Sequence, residues 1–133
     1  KNIGNINVHL SHTYNGCVTT SNVNSYIYIK GVKADFNSAD NFHCKIPHTV
    51  HLDNNTDSLD ATSVSYKWRV LDGTTPVYTS NKANPNFTFN SIPGLYSVEL
   101  IATGNNGCSD TLTRSDFIYQ DSMKVQFDAN PKI

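Results

Sequence analysis

The sequence is poor in helix-forming residues and in net charge. Its 133 residues include one Met, six Ala and a single Glu, Glu99, which argues against large all-α folds and doubly wound α/β enzymes. The net charge is −1, so no basic field favours nucleic acid and no polybasic segment favours membrane binding. No run approaches the roughly 18–20 apolar residues of a membrane span. The sequence also has no initiator Met and no apolar signal segment, so we expect any secretion signal to lie outside it.

The residues that are abundant favour strands and turns. The chain contains 17 Asn, 13 Ser and 13 Thr, together with many Val, Ile, Tyr and Phe, a balance typical of strands joined by Asn-rich turns. Alternation of apolar and polar residues over 64–70 and 96–102 predicts two strands with one buried face each. Five shorter strands are predicted at 33–37, 49–53, 76–79, 86–89 and 112–119. Seven short strands without a helical period predict an all-β, immunoglobulin-like β-sandwich.

An internal repeat runs through the chain with an offset of about 90 residues. Four pairs of segments match in the same order: 4–10 with 94–100, 15–17 with 106–108, 26–28 with 117–119, and 33–37 with 124–128. The offset is 90 before the Asn-Gly-Cys turn and 91 after it, so one copy carries one extra turn residue. A period of this length indicates a tandem array of small domains.

The repeat predicts the domain organisation. Residues 1–29 correspond to the C-terminal portion of a preceding repeat, residues 32–120 to one complete domain, and residues 122–133 to the start of a following repeat. We therefore expect the chain to be a section of a longer array whose ends do not coincide with domain boundaries.

Several motifs in the complete unit resemble one known family. Residues 66–73, Tyr-Lys-Trp-Arg-Val-Leu-Asp-Gly, are similar to the Y-x-W-x-F-G-D-G strand and turn of PKD (polycystic kidney disease) domains. Residues 84–89 and 93–100 are similar to that family's N-P-x-H-x-Y and x-G-x-Y-x-V-x-L motifs. Residues 106–111 resemble the N-x-G-C-x-D-T of tandem PKD repeats in flavobacterial surface adhesins, including those of the gliding machinery. The chain departs from the family pattern at Val70-Leu71, Phe87 and Phe89.

The resemblance implies a non-enzymatic protein at the bacterial cell surface. It implies a repeat segment of a large secreted adhesin or filament, in which the module acts as an extended stalk. The implied partners are neighbouring PKD-like repeats and surface polysaccharide or other cell-surface proteins, with no nucleic acid and no membrane insertion. The alternative, from a different class, is a carbohydrate-binding or spacer module of a secreted hydrolase. A full-length sequence separates the two, since the first predicts further repeats and the second a catalytic domain.

Three cysteines leave an odd number for pairing. Cys17 and Cys108 are equivalent positions of the repeat, so each is expected to pair with a cysteine near the start of its own unit. The sequence then predicts a Cys44–Cys108 disulfide, with the partner of Cys17 outside this chain, and such a bridge implies an oxidising compartment. Buried cysteines that form no disulfide are the alternative.

Metal and catalytic chemistry have few candidates in the sequence. The Asp-rich turns supply oxygen ligands at Asp53, Asp57 and Asp72 that suit calcium, although turn geometry alone accounts for Asp at such places. No other cofactor is indicated. No nucleophile, metalloprotease or phosphate-binding motif occurs, and the paired carboxylates of a hydrolase would have to come from Asp alone. We therefore expect no enzymatic activity.

Three short triplets predict sites of modification. Asp-Ser/Thr followed by an apolar residue resembles the O-glycosylation acceptor of Bacteroidota and occurs at residues 57–59, 110–112 and 121–123. The candidate acceptors are Ser58, Thr111 and Ser122.

Overall fold

The fold is all-β, as the sequence predicts. The computed structural model describes residues 4–29, 31–90 and 93–121, and within these ranges every regular element is a strand. The strands in chain order are β1 (Gly4–Tyr14), β2 (Cys17–Ile29), β3 (Phe36–Asn37), β4 (Phe42–His43), β5 (His48–His51), β6 (Asp53–Asn54), β7 (Val64–Asp72), β8 (Thr75–Ser80), β9 (Asn86–Phe89), β10 (Gly94–Gly104) and β11 (Ser109–Gln120).

Strands β3 to β11 form a two-layer sandwich. One layer is a five-stranded sheet in the order β4-β11-β10-β7-β8. The other layer consists of two short antiparallel pairs, β3 with β6 and β5 with β9. Within the five-stranded sheet only the two-residue contact of β4 with β11 is parallel. This arrangement confirms the immunoglobulin-like β-sandwich predicted from the strand pattern.

The strand prediction changes in three places, and the first is that the strand expected at 33–37 shortens to β3. The strand expected at 49–53 is split into β5 and β6, because the Leu52 amide donates to the carbonyl of Pro85 (3.0 Å) at the break. Strand β4 was not predicted at all. A pairing of two residues is too short to produce an alternating pattern that sequence inspection detects.

Alternation along β7 and β10 builds the core. Trp68 and Val70 of β7 and Val98 and Leu100 of β10 are fully buried, while the residues between them are partly or fully exposed. The indole nitrogen of Trp68 donates to the carbonyl of Lys82 (2.9 Å), which satisfies its polar group. The buried apolar residues are Val32, Ala34, Phe36, Val50, Leu52, Ala61, Trp68, Val70, Phe87, Phe89, Tyr96, Val98, Leu100, Ala102 and Ile118.

Aromatic rings join the two layers. The ring of Phe36 in β3 meets Trp68 in β7 edge to face, with 5.2 Å between centroids. Phe89 in β9 packs against Tyr96 in β10, with centroids 5.0 Å apart. Tyr66, which the sequence also assigns to the inner face, is only partly buried at the margin of this core. Contacts of this kind hold the sheets together by apolar burial.

The only Glu in the sequence supports the outer face of the same sheet. Glu99 in β10 lies directly opposite Arg69 in β7, and its carboxylate accepts a hydrogen bond from the Arg69 Nε (2.6 Å). Glu99 is therefore a cross-strand partner of an arginine in the sheet.

The β1–β2 and β10–β11 hairpins have the same geometry at equivalent positions. Each has a register shift, between Ile6 and Val8 in one and between Tyr96 and Val98 in the other. Each also places a non-glycine residue at positive φ in its second strand, Ser25 (58°) and Asp116 (49°). The turns differ as the repeat predicts. β1 and β2 are joined by a two-residue turn, residues 15–16. In the β10–β11 turn the Gly104 amide donates to the Cys108 carbonyl, so the loop that this hydrogen bond closes contains three residues, 105–107.

The sandwich receives and releases the chain at opposite ends. Near the start of the domain, the Ala34 amide donates to the carboxylate of Asp110 (3.0 Å), next to the β10–β11 turn. At the end of the domain, the Asp121 amide donates to the carbonyl of His43 (2.9 Å), at the far end of β11. The 12 residues of β11 separate these points, a distance of about 35–40 Å for an extended strand.

The predicted domain boundaries stay a prediction. The segment assigned to a preceding repeat, residues 1–29, contains the β1–β2 hairpin, which forms a two-stranded sheet of its own. Residues 122–133, assigned to the start of a following repeat, lie outside the described residues.

The predicted Cys44–Cys108 disulfide is wrong for this fold. Cys108 lies in the turn that precedes β11, whereas Cys44 follows β4, which pairs with the last residues of β11. The two cysteines are thus separated by nearly the whole strand, more than about 30 Å, while a disulfide requires Cα atoms within about 7 Å. No disulfide joins them in the part of the chain that the structure describes. Cys17 is exposed beside the β1–β2 turn.

Replacing Trp68 tests the core. We expect Trp68→Ala to lower the free energy of unfolding by about 3–5 kcal/mol, because it leaves a large cavity between the layers. Chemical denaturation measures the loss. The matched control is Lys67→Ala, the neighbouring exposed position on the outer face, which should change stability by less than about 0.5 kcal/mol. Equal effects of the two substitutions would contradict the strand facing.

Peptide mapping without reductant tests the strand register. After alkylation under denaturing conditions and digestion, we expect no peptide in which Cys44 is linked to Cys108 within one monomer, because β11 holds them apart. Detection of that linked peptide in monomeric protein would contradict the parallel pairing of β4 with β11.

Candidate functional site

The three calcium candidates do not form one site. Asp57 lies next to the start of the domain, where its backbone pairs with that of Lys33, and its carboxylate accepts a hydrogen bond from the amide of Leu59 (3.0 Å). Asp53 lies in β6, opposite Asn37. Asp72 ends β7 at the turn into β8, where Gly73 adopts a positive φ of 57°. Among the described residues, no three His, Cys, Asp or Glu side chains come close enough to hold a metal ion.

Two of the three glycosylation candidates are exposed. Ser58 and Thr111 both have accessible side chains, and each follows an aspartate near the β10–β11 end of the domain, since Asp57 and Asp110 contact neighbouring residues Lys33 and Ala34 there. Ser122 lies outside the described residues. Exposure is what an acceptor hydroxyl requires, and modification of these residues stays a prediction.

An aromatic pair occupies the opposite end of the domain. The rings of Phe42 and Tyr119 stack with centroids 5.0 Å apart and planes inclined by 15°. The pairing of β4 with β11 produces this contact because it sets the two residues side by side. Phe42 is 65% exposed, so the stack presents an apolar ring to solvent at the margin of the sheet.

Polar groups surround this aromatic pair. The Tyr119 hydroxyl donates to the carboxylate of Asp121 (3.1 Å). This hydrogen bond and the nearby negative charge raise the pKa of Tyr119 above its ordinary value, with smaller contributions from burial and from Cys44.

Elsewhere in the sheet, burial raises the pKa of Tyr96, and Asp72 adds to the effect. Both phenols therefore remain protonated hydrogen-bond donors at neutral pH.

Two histidines stack beside the same strand. The rings of His43 and His48 are parallel within 8°, with centroids 3.8 Å apart. His48 Nε2 donates to the carbonyl of Asp40 (3.2 Å). His51 is directed elsewhere and pairs with Asn86. Strand alternation predicts this separation of His48 from His51, and it keeps the two from acting as a ligand pair.

The exit end of the domain places an exposed aromatic ring beside several hydrogen-bonding side chains. Here the exit end means Phe42, Tyr119, Asp121, His43 and His48. An exposed ring next to hydrogen-bonding groups suits stacking against the apolar face of a ligand. Sequence inspection missed this cluster because β4 brings residues 42–43 to β11 from a distant part of the chain. The one available signal was the repetition of Tyr28 at Tyr119.

The described part of the chain has no helix with the length and apolarity needed to cross a bilayer. A search of curated proteins finds none that matches the sequence.

Three solved structures share the fold. The crystal structure of the PKD1 domain of Vibrio anguillarum Epp superposes with a TM-score of 0.55 at 22% identity, covering 71% of this chain and 98% of that one. The PKD1 domain from Vibrio cholerae metalloprotease PrtV gives 0.54 at 28% identity, covering 69% of this chain and 99% of that one. A structure of carbohydrate-binding modules from the β-sandwich superfamily gives 0.56 at 28% identity, covering 70% of this chain and 35% of that one.

The sequence pattern that defines the PKD domain matches residues 40–119. This range runs from just before β4 to the penultimate residue of β11 and so spans almost all of the five-stranded sheet, which means that the sequence match and the shared fold agree. The chain belongs to the PKD domain family.

Proposed function

We propose that the chain is a non-enzymatic module of an extended tandem array in a large secreted adhesin or filament of the bacterial cell surface. The observation that carries this proposal is the position of the two chain ends of the sandwich. One end lies beside Asp110 at the β10–β11 turn, and the other beside His43 at the far end of β11.

Because the chain enters and leaves the sandwich at opposite ends, tandem copies form a long array. If each module connects to the next at its far end, every repeat adds about the length of its longest strands to the array. Had both ends lain at the same side, successive modules would fold back on one another. A connection of only a few residues between units then leaves little slack. The geometry therefore suits a stalk that holds a distal part away from the cell.

The equivalence of the two hairpins supports the tandem part of the proposal. β1–β2 and β10–β11 share their register shift and the positive φ in their second strand. Matching backbone irregularities at an offset of 90–91 residues are expected if both hairpins belong to units of the same fold. In such an array the neighbouring repeats are the partners, and surface polysaccharide or other cell-surface proteins are the contacts of the whole protein. A role in gliding motility rests on the sequence resemblance alone.

Solution scattering of joined copies tests the stalk. Residues 31–121 joined directly, Asp121 to Gly31, keep the period of the repeat in chains of two and four copies. We expect the maximum dimension to grow by about 35–40 Å with each copy, the length of one 12-residue strand. The control carries a flexible Gly-Ser insertion at each junction and should be more compact per added residue. Growth no greater than that of the flexible control would contradict an extended array.

A carbohydrate-binding or spacer module of a secreted hydrolase is the second candidate. The observation in its favour is the exposed ring of Phe42 stacked on Tyr119 next to the Asp121 carboxylate. Among the similar structures are a metalloprotease domain and carbohydrate-binding modules. Flat rings at a sheet margin can stack on the apolar face of a sugar.

Affinity electrophoresis tests the second candidate. If the aromatic pair binds sugars, a soluble polysaccharide cast in the gel retards the parent chain, and Phe42→Ala removes at least about three-quarters of the retardation, because the exposed ring is lost. Val77→Ala, at an exposed position on β8 at the other edge of the sheet, is the control and should retain it. Equal retardation of the parent and Phe42→Ala would exclude this surface as the binding site.

A further inference from the structure

The β1–β2 hairpin presents an apolar face to solvent. Its cross-strand pairs Ile6 with Ile27 and Val8 with Val23 lie on the same side of the hairpin as Leu10. Leu10 is 65% exposed, Ile27 48% and Val23 44%. Side chains of this size are usually buried in soluble proteins when they occur together. Val8, Leu10 and Val23 line this surface together with Ser21 and Tyr26, so an apolar layer suits it as a cover.

The second hairpin shows what covers such a face. By the repeat, Ile6, Val8 and Leu10 correspond to Tyr96, Val98 and Leu100, and these three side chains are at most 3% exposed. In the complete domain they are covered by the opposite layer, including Phe89, which packs on Tyr96. Leu10 and Leu100 are the same residue type at equivalent positions of the two hairpins, and in the complete domain a covering layer buries Leu100.

The two hairpins also differ in the pairing of their first strands, β10 and β1. β10 is paired on both sides, with β11 along one edge and with β7 along the other from Ser97 to Gly104. Among the described residues β1 is paired with β2 alone, so its other edge offers the hydrogen-bonding groups that β10 gives to β7. An open edge beside an apolar face is a site for strand addition.

A second copy of the chain is a poor occupant. The missing partner has a covering layer equivalent to β3, β5, β6 and β9 and an edge strand equivalent to β7. In each copy of the chain those strands already enclose their own β10–β11 hairpin. The acceptor must therefore be a PKD-like segment that lacks its last two strands.

We propose that the β1–β2 hairpin is the closing hairpin of another β-sandwich. Its partner is a segment with the chemistry of β3 to β9 of this chain. A β7-like strand pairs antiparallel to the free edge of β1, and a short-stranded layer covers Ile6, Val8 and Leu10. This inference rests on the proposed tandem array and names the surface through which a preceding unit is completed.

An extended chain supplies the missing segment. A second copy of residues 31–93 is fused directly before Gly4, so that Pro93 is followed by Gly4 as it is by Gly94 in the parent chain. Hydrogen–deuterium exchange is measured on the parent and the extended chain. We expect the β1 amides to exchange at least about tenfold more slowly in the extended chain, because strand pairing and burial protect them. Unchanged β1 exchange, with residues 94–121 equally protected in both chains, would overturn the proposal.

Matched substitutions locate the effect on the apolar face. In the extended chain, Leu10→Asp should abolish the added protection of β1, because it places a charge in the new core. Ser11→Asp, on the opposite face of the same strand, should retain it. Loss of protection with both variants, or with neither, would overturn the assignment of the face.

Two further results separate this inference from its rivals. Sedimentation of the parent chain as a dimer that Leu10→Asp dissociates would overturn the proposal in favour of a second copy. Scattering tests the stalk independently of exchange. Slow exchange of β1 without elongation of the joined copies would therefore reject the extended array while supporting the closing hairpin.

Discussion

The contact between Trp68 and Phe36 joins the two layers of the sandwich, and the rest of the domain depends on it. Trp68 lies in β7, a long strand of the five-stranded sheet, and Phe36 lies in the two-residue strand β3 of the other layer. Strands as short as β3, β5, β6 and β9 contribute few backbone hydrogen bonds, so their layer is held mainly by side chains that reach the long sheet. Apolar burial here therefore positions the backbone as well as stabilising it. The same packing closes the core around Val98 and Leu100, which belong to the hairpin that ends the domain.

That final hairpin connects stability to the proposed function. Strand β11 pairs with β10 along its length, and its last two residues also pair with β4. Its length separates the point where the chain enters the sandwich from the point where it leaves, so the two chain ends lie at opposite ends of the domain. It also separates Cys44 from Cys108 and collects the aromatic pair and the histidines at the exit end. One structural feature thus accounts for the shape suited to an array, for the separation of the two cysteines, and for the grouping of the aromatic and histidine side chains at the exit end.

The two hairpins place equivalent sequences in different environments. Leu100 is completely buried, whereas Leu10 is largely exposed, although both occupy the same position of a hairpin with the same register shift. Local sequence therefore sets the hairpin backbone, with its bulge and its left-handed residue, without help from a covering layer. Burial requires strands from elsewhere in the chain. This difference is the physical basis for assigning the apolar face of β1–β2 to a neighbouring unit.

Alternation in β7 and β10 and the Asn- and Gly-containing turns were sufficient to predict the fold class and the inner face, because these depend on local geometry with a period of two. The PKD relationship came from the resemblance of the motifs at 66–73, 84–89 and 93–100 to that family. The sequence alone could not place residues that meet through tertiary pairing. Strand β4 has only two residues, which is too short for a sequence pattern to predict its pairing with β11. The sequence therefore did not predict that Phe42 stacks on Tyr119, or that Cys44 lies at the far end of β11 from Cys108. The three calcium candidates were grouped by residue type, and the fold distributes them along the domain. Local chemistry determined the strands and their inner faces, whereas the neighbours of each exposed side chain were decided by the order in which the strands pair, which depends on packing across the whole sandwich.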